Sequence, residues 1–164
     1  DHKPNAMILG YPAASAPNLP GMNFMLKLLE GRQEVTDTDA EKYDLVSQIT
    51  GEAPPVFIAA TAQDLLTPYG ALPIARKYSS FGTDYELHIF QHGPHGYALA
   101  NEVTADGSIQ NVNPAFSQWL ELSVQWIHRI FGKPELVDRS TSALVKHMKR
   151  LGFLPEDAEE KPLL

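Results

Sequence analysis

Apolar positions in this chain recur at two spacings, and the alternation between them predicts its elements. Residues 6–11 (AMILGY) form an apolar run between Pro4 and Pro12, as expected of a strand buried on both faces of a parallel sheet. Residues 12–21 (PAASAPNLPG) read as loop. Met22, Met25, Leu26 and Leu29 then follow at helical spacing, with Gly31 as the stop. In TDTDAEKYDLVSQI, Thr38 with Glu41 three residues on matches a capping box, and Tyr43, Leu45 and Val46 offer apolar contacts.

Residues 54–60 (PPVFIAA) predict a second apolar strand. Residues 85–90 (YELHIF) predict a third, with Tyr85, Leu87 and Ile89 on one face and Glu86, His88 and Phe90 on the other. Between them, residues 69–81 predict a helix stopped by Gly82, with Pro73 either in its first turn or confining the regular part to later positions. After a long loop, Asn113 is a good N-cap and Pro114 a good first helical residue. Phe116, Trp119, Leu120, Val124, Ile127 and Phe131 make one apolar stripe, ended by Gly132 and Pro134.

Strand, helix, strand, helix is the order of parallel βαβ units, so the expected fold class is α/β with three layers. The expected organisation is a domain over residues 1–132 and an extension over 133–164. In the extension Leu144, Val145, Met148 and Leu151 mark a short amphipathic helix, and PEDAEEKPLL is an acidic tail expected to be disordered. A domain seldom opens on an interior strand, so the N-terminal half of the domain is expected to lie upstream of this chain.

Composition narrows the function classes. At 164 residues, 43% hydrophobic and 20% charged, the chain is long enough for one domain with a real core. Its net charge is −7 and its 13 Lys and Arg are scattered, which argues against nucleic acid and anionic membranes as partners. No apolar run reaches membrane-spanning length, and no signal peptide is expected. The absence of cysteine rules out disulfides and thiolate metal sites and fits a reducing compartment, so a cytoplasmic location is expected.

In parallel α/β sheets, functional groups gather in loops at the carboxyl ends of the strands. Asp64 lies four residues past Ala60, and His95 lies five past Phe90. With parallel neighbouring strands both emerge at one edge, where an Asp can fix the tautomer of a His. Taken singly, Asp64 before a proline-containing turn reads as a cap residue and His95 as a solvated loop residue.

Together their surroundings resemble the C-terminal part of the α/β-hydrolase superfamily, nearest its small-molecule esterases of the acetylxylan-esterase and feruloyl-esterase-like group. PPVFIAATAQDLLTP is similar to that family's strand and T-x-x-D-x-x-[VT]-P loop, and YELHIFQHGPHGYAL to the strand and loop in which the triad His precedes a Gly. The resemblance covers about residues 4–132. It implies a three-layer α/β-hydrolase sheet with only the C-terminal strands and helices present. It also implies Asp64 as triad acid, His95 as base, and residues 17–47 as a cap lining the acyl or alcohol pocket. It calls for a small-molecule ester as substrate and for no cofactor or metal.

One departure is decisive. The G-x-S-x-G turn that exposes the nucleophile and the HGGG-like oxyanion loop are absent, and neither Ser15 nor Ser47 is flanked correctly. The expected partner is therefore the N-terminal half of the same hydrolase domain, and the unpaired edge of the first strand invites homo-oligomers. His92 is expected to be a surface residue and His88 a partly buried structural one. A zinc site on His88, His92 and His95 is disfavoured, because the segment changes from strand to loop and lacks His-Glu-x-x-His spacing. Two rivals stand beside the esterase. One is a prolyl-oligopeptidase-type peptidase; the other is a non-catalytic pseudo-hydrolase or interaction module.

Overall fold

From Val56 to Thr61, six consecutive residues are each at most 2% exposed. In a computed structural model describing residues 3–19, 21–31, 34, 36–134, 141–155 and 157, this strand is the middle of a three-stranded sheet. Three strands make up the sheet: β1 (Met7–Gly10), β2 (Val56–Thr61) and β3 (Tyr85–Phe90), in the order β1-β2-β3. Both pairings are parallel, with Met7 opposite Val56 and Val56 opposite Tyr85. All three carboxyl ends therefore lie along one edge. A strand with neighbours on both sides and cover on both faces can be apolar at every position, and β2 is apolar as far as Ala60.

Side-chain alternation sends β2 into two cores. Val56, Ile58 and Ala60 pack with Ile74, Ala75 and Tyr78 of helix α3 (Ala71–Phe81), and Met7, Leu9 and Leu87 join that cluster. Phe57 and Ala59 face the opposite way, onto Trp126 of helix α4 (Trp119–Phe131), with Phe90, Trp119 and Leu122 around them. Helix, sheet, helix is the expected three-layer arrangement. Tyr78 is fully buried, and its hydroxyl donates to the Pro54 carbonyl at 2.9 Å. Pro73 sits in the first turn of α3, and Gly82 ends that helix with φ of 66°.

The chain divides into two units, Asp1–Ile127 and His128–Leu164. The second holds the end of α4 and helix α5 (Thr141–Arg150). The acidic tail lies almost wholly outside the described residues. No described helix is long and apolar enough to cross a membrane.

As expected of a first strand with an unpaired edge, β1 has β2 as its only neighbour among the described residues, and Ile8 is 39% exposed. Other expectations are corrected. The capping box lies two residues earlier than Thr38 and Glu41. Thr36 caps helix α2 (Asp37–Lys42), its backbone N–H donating to Asp39 Oδ2 at 2.7 Å. Aspartate serves there in the role usually given to Glu or Gln. In helix α1 (Met22–Glu30) only Leu26 of the predicted stripe is buried, while Met25 and Leu29 are exposed.

The inward face runs from Phe116, in the 3-10 turn before α4, through Trp119, Ser123 and Trp126, leaving Leu120, Val124 and Phe131 exposed. The cause is the Phe57–Trp126 ring contact at 5.9 Å, which fixes the helix's rotation. The buried Ser123 hydroxyl is satisfied by donating to the Leu120 carbonyl at 2.7 Å. Asn113 Oδ1 accepts from the N–H groups of Ala115 and Phe116, both at 3.1 Å, but it closes a turn ahead of the 3-10 turn at Phe116–Gln118; the α-helix itself begins at Trp119 and not at Pro114.

Candidate active site

The loop after β2 closes on itself through threonine. Thr67 Oγ1 donates to the Thr61 carbonyl at 2.7 Å, and Asp64 N–H donates to Thr61 Oγ1 at 3.2 Å. Asp64 Oδ1 then accepts from the Leu66 N–H at 2.9 Å, an Asx turn that orients the carboxylate. The Asp64 side chain is 1% exposed. Such burial is costly for a carboxylate unless both oxygens are hydrogen-bonded. The second bond comes from the next loop: His95 Nδ1 lies 2.9 Å from Asp64 Oδ2.

His95 is placed by the loop after β3. The Ala62 N–H donates to the Phe90 carbonyl at 2.7 Å, extending the β2–β3 ladder to the root of both loops. Gly93 N–H donates to Gln63 Oε1 at 3.2 Å, and the Thr61 hydroxyl donates to the Gly93 carbonyl. Gly93 can be nothing larger: its φ is 141°, and a Cβ there would lie 2.7 Å from Tyr97 Cε2 and 2.9 Å from Thr61 Cγ2. Gly96, with φ of 80°, supplies the sharp turn directly after the imidazole. Tyr97 is anchored by its hydroxyl on the Gln110 carbonyl at 2.6 Å, and Trp119 Nε1 donates to the Ala98 carbonyl at 3.0 Å.

The His95 side chain is 44% exposed, so the imidazole bridges a buried carboxylate and solvent. With Nδ1 engaged, Nε2 is the nitrogen left for chemistry. This arrangement can hold a tautomer, accept a proton at Nε2 and stabilise the resulting imidazolium. Neither serine considered from the sequence is directed at it: Ser15 Oγ accepts from Asn18 Nδ2 at 3.0 Å, and Ser47 Oγ donates to the Asp44 carbonyl at 2.8 Å.

The three neighbouring histidines do not converge. His92 is exposed, and its carbonyl accepts from Asn113 Nδ2 at 2.7 Å. His88 is half-buried on β3, its Nε2 2.8 Å from Glu86 Oε1 and its ring 5.1 Å from that of Phe57. Among the described residues, no three or more His, Asp or Glu side chains are grouped to hold a metal ion.

Two contributors escaped sequence reasoning. Thr61 ties both loops together, and its signal was the T-x-x-D spacing itself. Tyr11, at the end of β1, meets the His95 ring edge-on with centroids 5.2 Å apart and planes at 77°. Its φ is 40°, a strain of about 1–3 kcal/mol for a non-glycine residue. A groove of about 780 Å³ runs along β1, lined by Met7, Leu9, Ile49 and Tyr78 among others; neither Asp64 nor His95 borders it.

An all-parallel sheet between helix layers, with an Asp–His pair at its carboxyl edge, is the architecture of an α/β hydrolase. Similar solved structures share the fold. One is the carboxylesterase Cest-2923 from Lactobacillus plantarum, 25% identical with a TM-score of 0.64, over 80% of this chain and 46% of that one. Another is a sugar hydrolase from Lactococcus lactis, 30% identical with a TM-score of 0.64, over 79% and 49%. An acetyl ester-xyloside bifunctional hydrolase from Caldicellulosiruptor lactoaceticus, at 23% identity and a TM-score of 0.57 over 80% and 44%, shares the fold. The chain thus has the α/β-hydrolase fold, resembles esterases that carry it, and spans just under half the length of these structures. No protein-family model and no curated protein matches it.

Proposed function

We propose that this chain supplies the acid and base of a serine carboxylic-ester hydrolase, with Asp64 and His95 completed by a nucleophilic serine and an oxyanion loop from polypeptide N-terminal to it. The observation that carries this reading is the 2.9 Å bond between a buried Asp64 and a half-exposed His95 at the carboxyl edge of a parallel sheet.

In the first half-reaction His95 Nε2 takes the serine proton as the serine oxygen attacks the ester carbonyl, then delivers it to the departing alcohol. In the second, the same nitrogen deprotonates water, which releases the acid from the acyl-enzyme. Asp64 stays ionised throughout and supports the imidazolium. The partners of this reading are a small-molecule ester and the N-terminal half of the same domain. Residues 17–47 serve as a cap, a role suited to the exposed Phe24 and Leu28 of α1.

The experiment extends the chain through the codons that precede Asp1 in its gene and assays short p-nitrophenyl esters. Hydrolysis that vanishes in His95→Ala and in the upstream serine variant is expected. Absence of G-x-S-x-G upstream, or hydrolysis indifferent to His95, would overturn the proposal.

A further inference from the structure

Four described non-glycine residues adopt positive φ: Tyr11, Ala98, Ala100 and Asp106. Only Tyr11 among them lays a ring against His95. Its backbone runs against two preferences at once, since positive φ disfavours any residue with a Cβ, and the adjacent Pro12 pushes its predecessor toward extended conformations. Two contacts hold it there. The Tyr11 N–H donates to the Ala59 carbonyl at 2.6 Å, and the side chain packs against the cluster of Tyr97, Ala100 and Phe116.

The His95 imidazole needs a second contact. Its bond to Asp64 passes through one atom, and rotation about the Cβ–Cγ bond of a histidine is soft. Being 44% exposed, the ring has few neighbours to stop it turning. A base whose Nε2 swings away from the nucleophile loses its proton-transfer geometry.

We infer that Tyr11 is a positioning residue for His95: its ring, edge-on to the imidazole, blocks ring rotation and, together with Asp64, keeps the Nδ1–H tautomer with Nε2 held in one direction. This rests on the Asp64–His95 reading above. The contact belongs to the ring, because the Tyr11 hydroxyl makes no hydrogen bond among the described residues; phenylalanine should therefore replace it.

The test reads the His95 tautomer directly, without a nucleophile. The 164-residue chain, labelled with ¹⁵N in histidine, is examined at alkaline pH by ¹H–¹⁵N spectroscopy, in solution or sedimented under magic-angle spinning. The variants are Tyr11→Gly, Tyr11→Ala, Tyr11→Phe and Asp64→Asn. Tyr11→Gly removes the ring while suiting the positive φ, so it keeps the fold even if the strained Tyr11→Ala loses it. The His88 signals, from a histidine bonded to Glu86, report that the sheet is intact.

A single Nδ1–H tautomer at His95 is expected in the wild type and in Tyr11→Phe. Averaged signals from both tautomers are expected in Tyr11→Gly and Tyr11→Ala, and loss of the Nδ1–H tautomer in Asp64→Asn, whose amide can donate to Nδ1. A single tautomer that survives in Tyr11→Gly and is lost only in Asp64→Asn would overturn the role of Tyr11 and leave the acid–base pair standing. Averaged tautomers in the wild type would overturn the pair and this inference together.

Discussion

His95 and Asp64 are 31 positions apart in the chain, yet Nδ1 of one lies 2.9 Å from Oδ2 of the other. Helix α3 and strand β3 intervene, and their effect is to return the chain parallel to β2 so that both loops leave the sheet at the same edge. In the extended polypeptide, His95→Ala should lower kcat by on the order of 10³-fold or more. His92→Ala should change it only a few-fold, since the tie to Asn113 passes through the His92 backbone carbonyl and survives truncation. Steady-state kinetics of the two variants would separate them.

Gly93→Ala should destabilise the fold. The added methyl meets Tyr97 Cε2 at 2.7 Å and Thr61 Cγ2 at 2.9 Å, in a backbone conformation that alanine resists. A loss of about 1–3 kcal/mol from overpacking is expected, read as a lower urea midpoint. Because Thr61 also bonds Asp64, the carboxylate should shift with it.

Alkaline pH should weaken the fold through Tyr78. Burial raises its pKa above the ordinary 10.0, so the native state keeps a proton that the unfolded chain gives up. Its contribution is complete below about pH 10 and declines as pH rises through the folded value. Stability against urea at rising pH should fall less steeply in Tyr78→Phe. That variant should also cost about 0.5–1.5 kcal/mol at neutral pH, because it removes the bond to Pro54.

Strand β1 should drive association of the isolated chain. Ile8 is 39% exposed on a strand with one described neighbour, beside a groove lined by apolar side chains. Such an edge is a template for pairing. Size-exclusion chromatography should show concentration-dependent assembly, reduced by Ile8→Lys. A monodisperse monomer with slow amide exchange at residues 7–9 would contradict this.

How much could be read beforehand depended on what each feature rests upon. Strands β1 and β2 were legible as short apolar runs entered near proline, and β3 by the alternation of its two faces. Strand ends plus parallel topology put Asp64 and His95 at one edge, but only the resemblance of their two loops to the α/β-hydrolase motifs singled them out as a pair. The buried face of α4 was not legible, since Leu120 and Ser123 exchange roles once Trp126 docks on Phe57, a contact between distant segments. The Tyr11 backbone was hidden for a similar reason. Tertiary contacts hold it at φ of 40° against local preference, and local preference is all that a dipeptide before proline reveals.

Parallel pairing has a further effect on how such a protein changes over generations. The proposed acid, base and positioning residue sit in the turns beyond Thr61, Phe90 and Gly10, while the residues that hold the sheet together sit inside the strands. Insertions and substitutions in those turns sample new specificities without disturbing the apolar interior, and mutations of the interior are screened by folding before they can touch chemistry. Thr61 is the exception: a strand residue whose hydroxyl contacts both turns, it couples the two otherwise separate mutational fields.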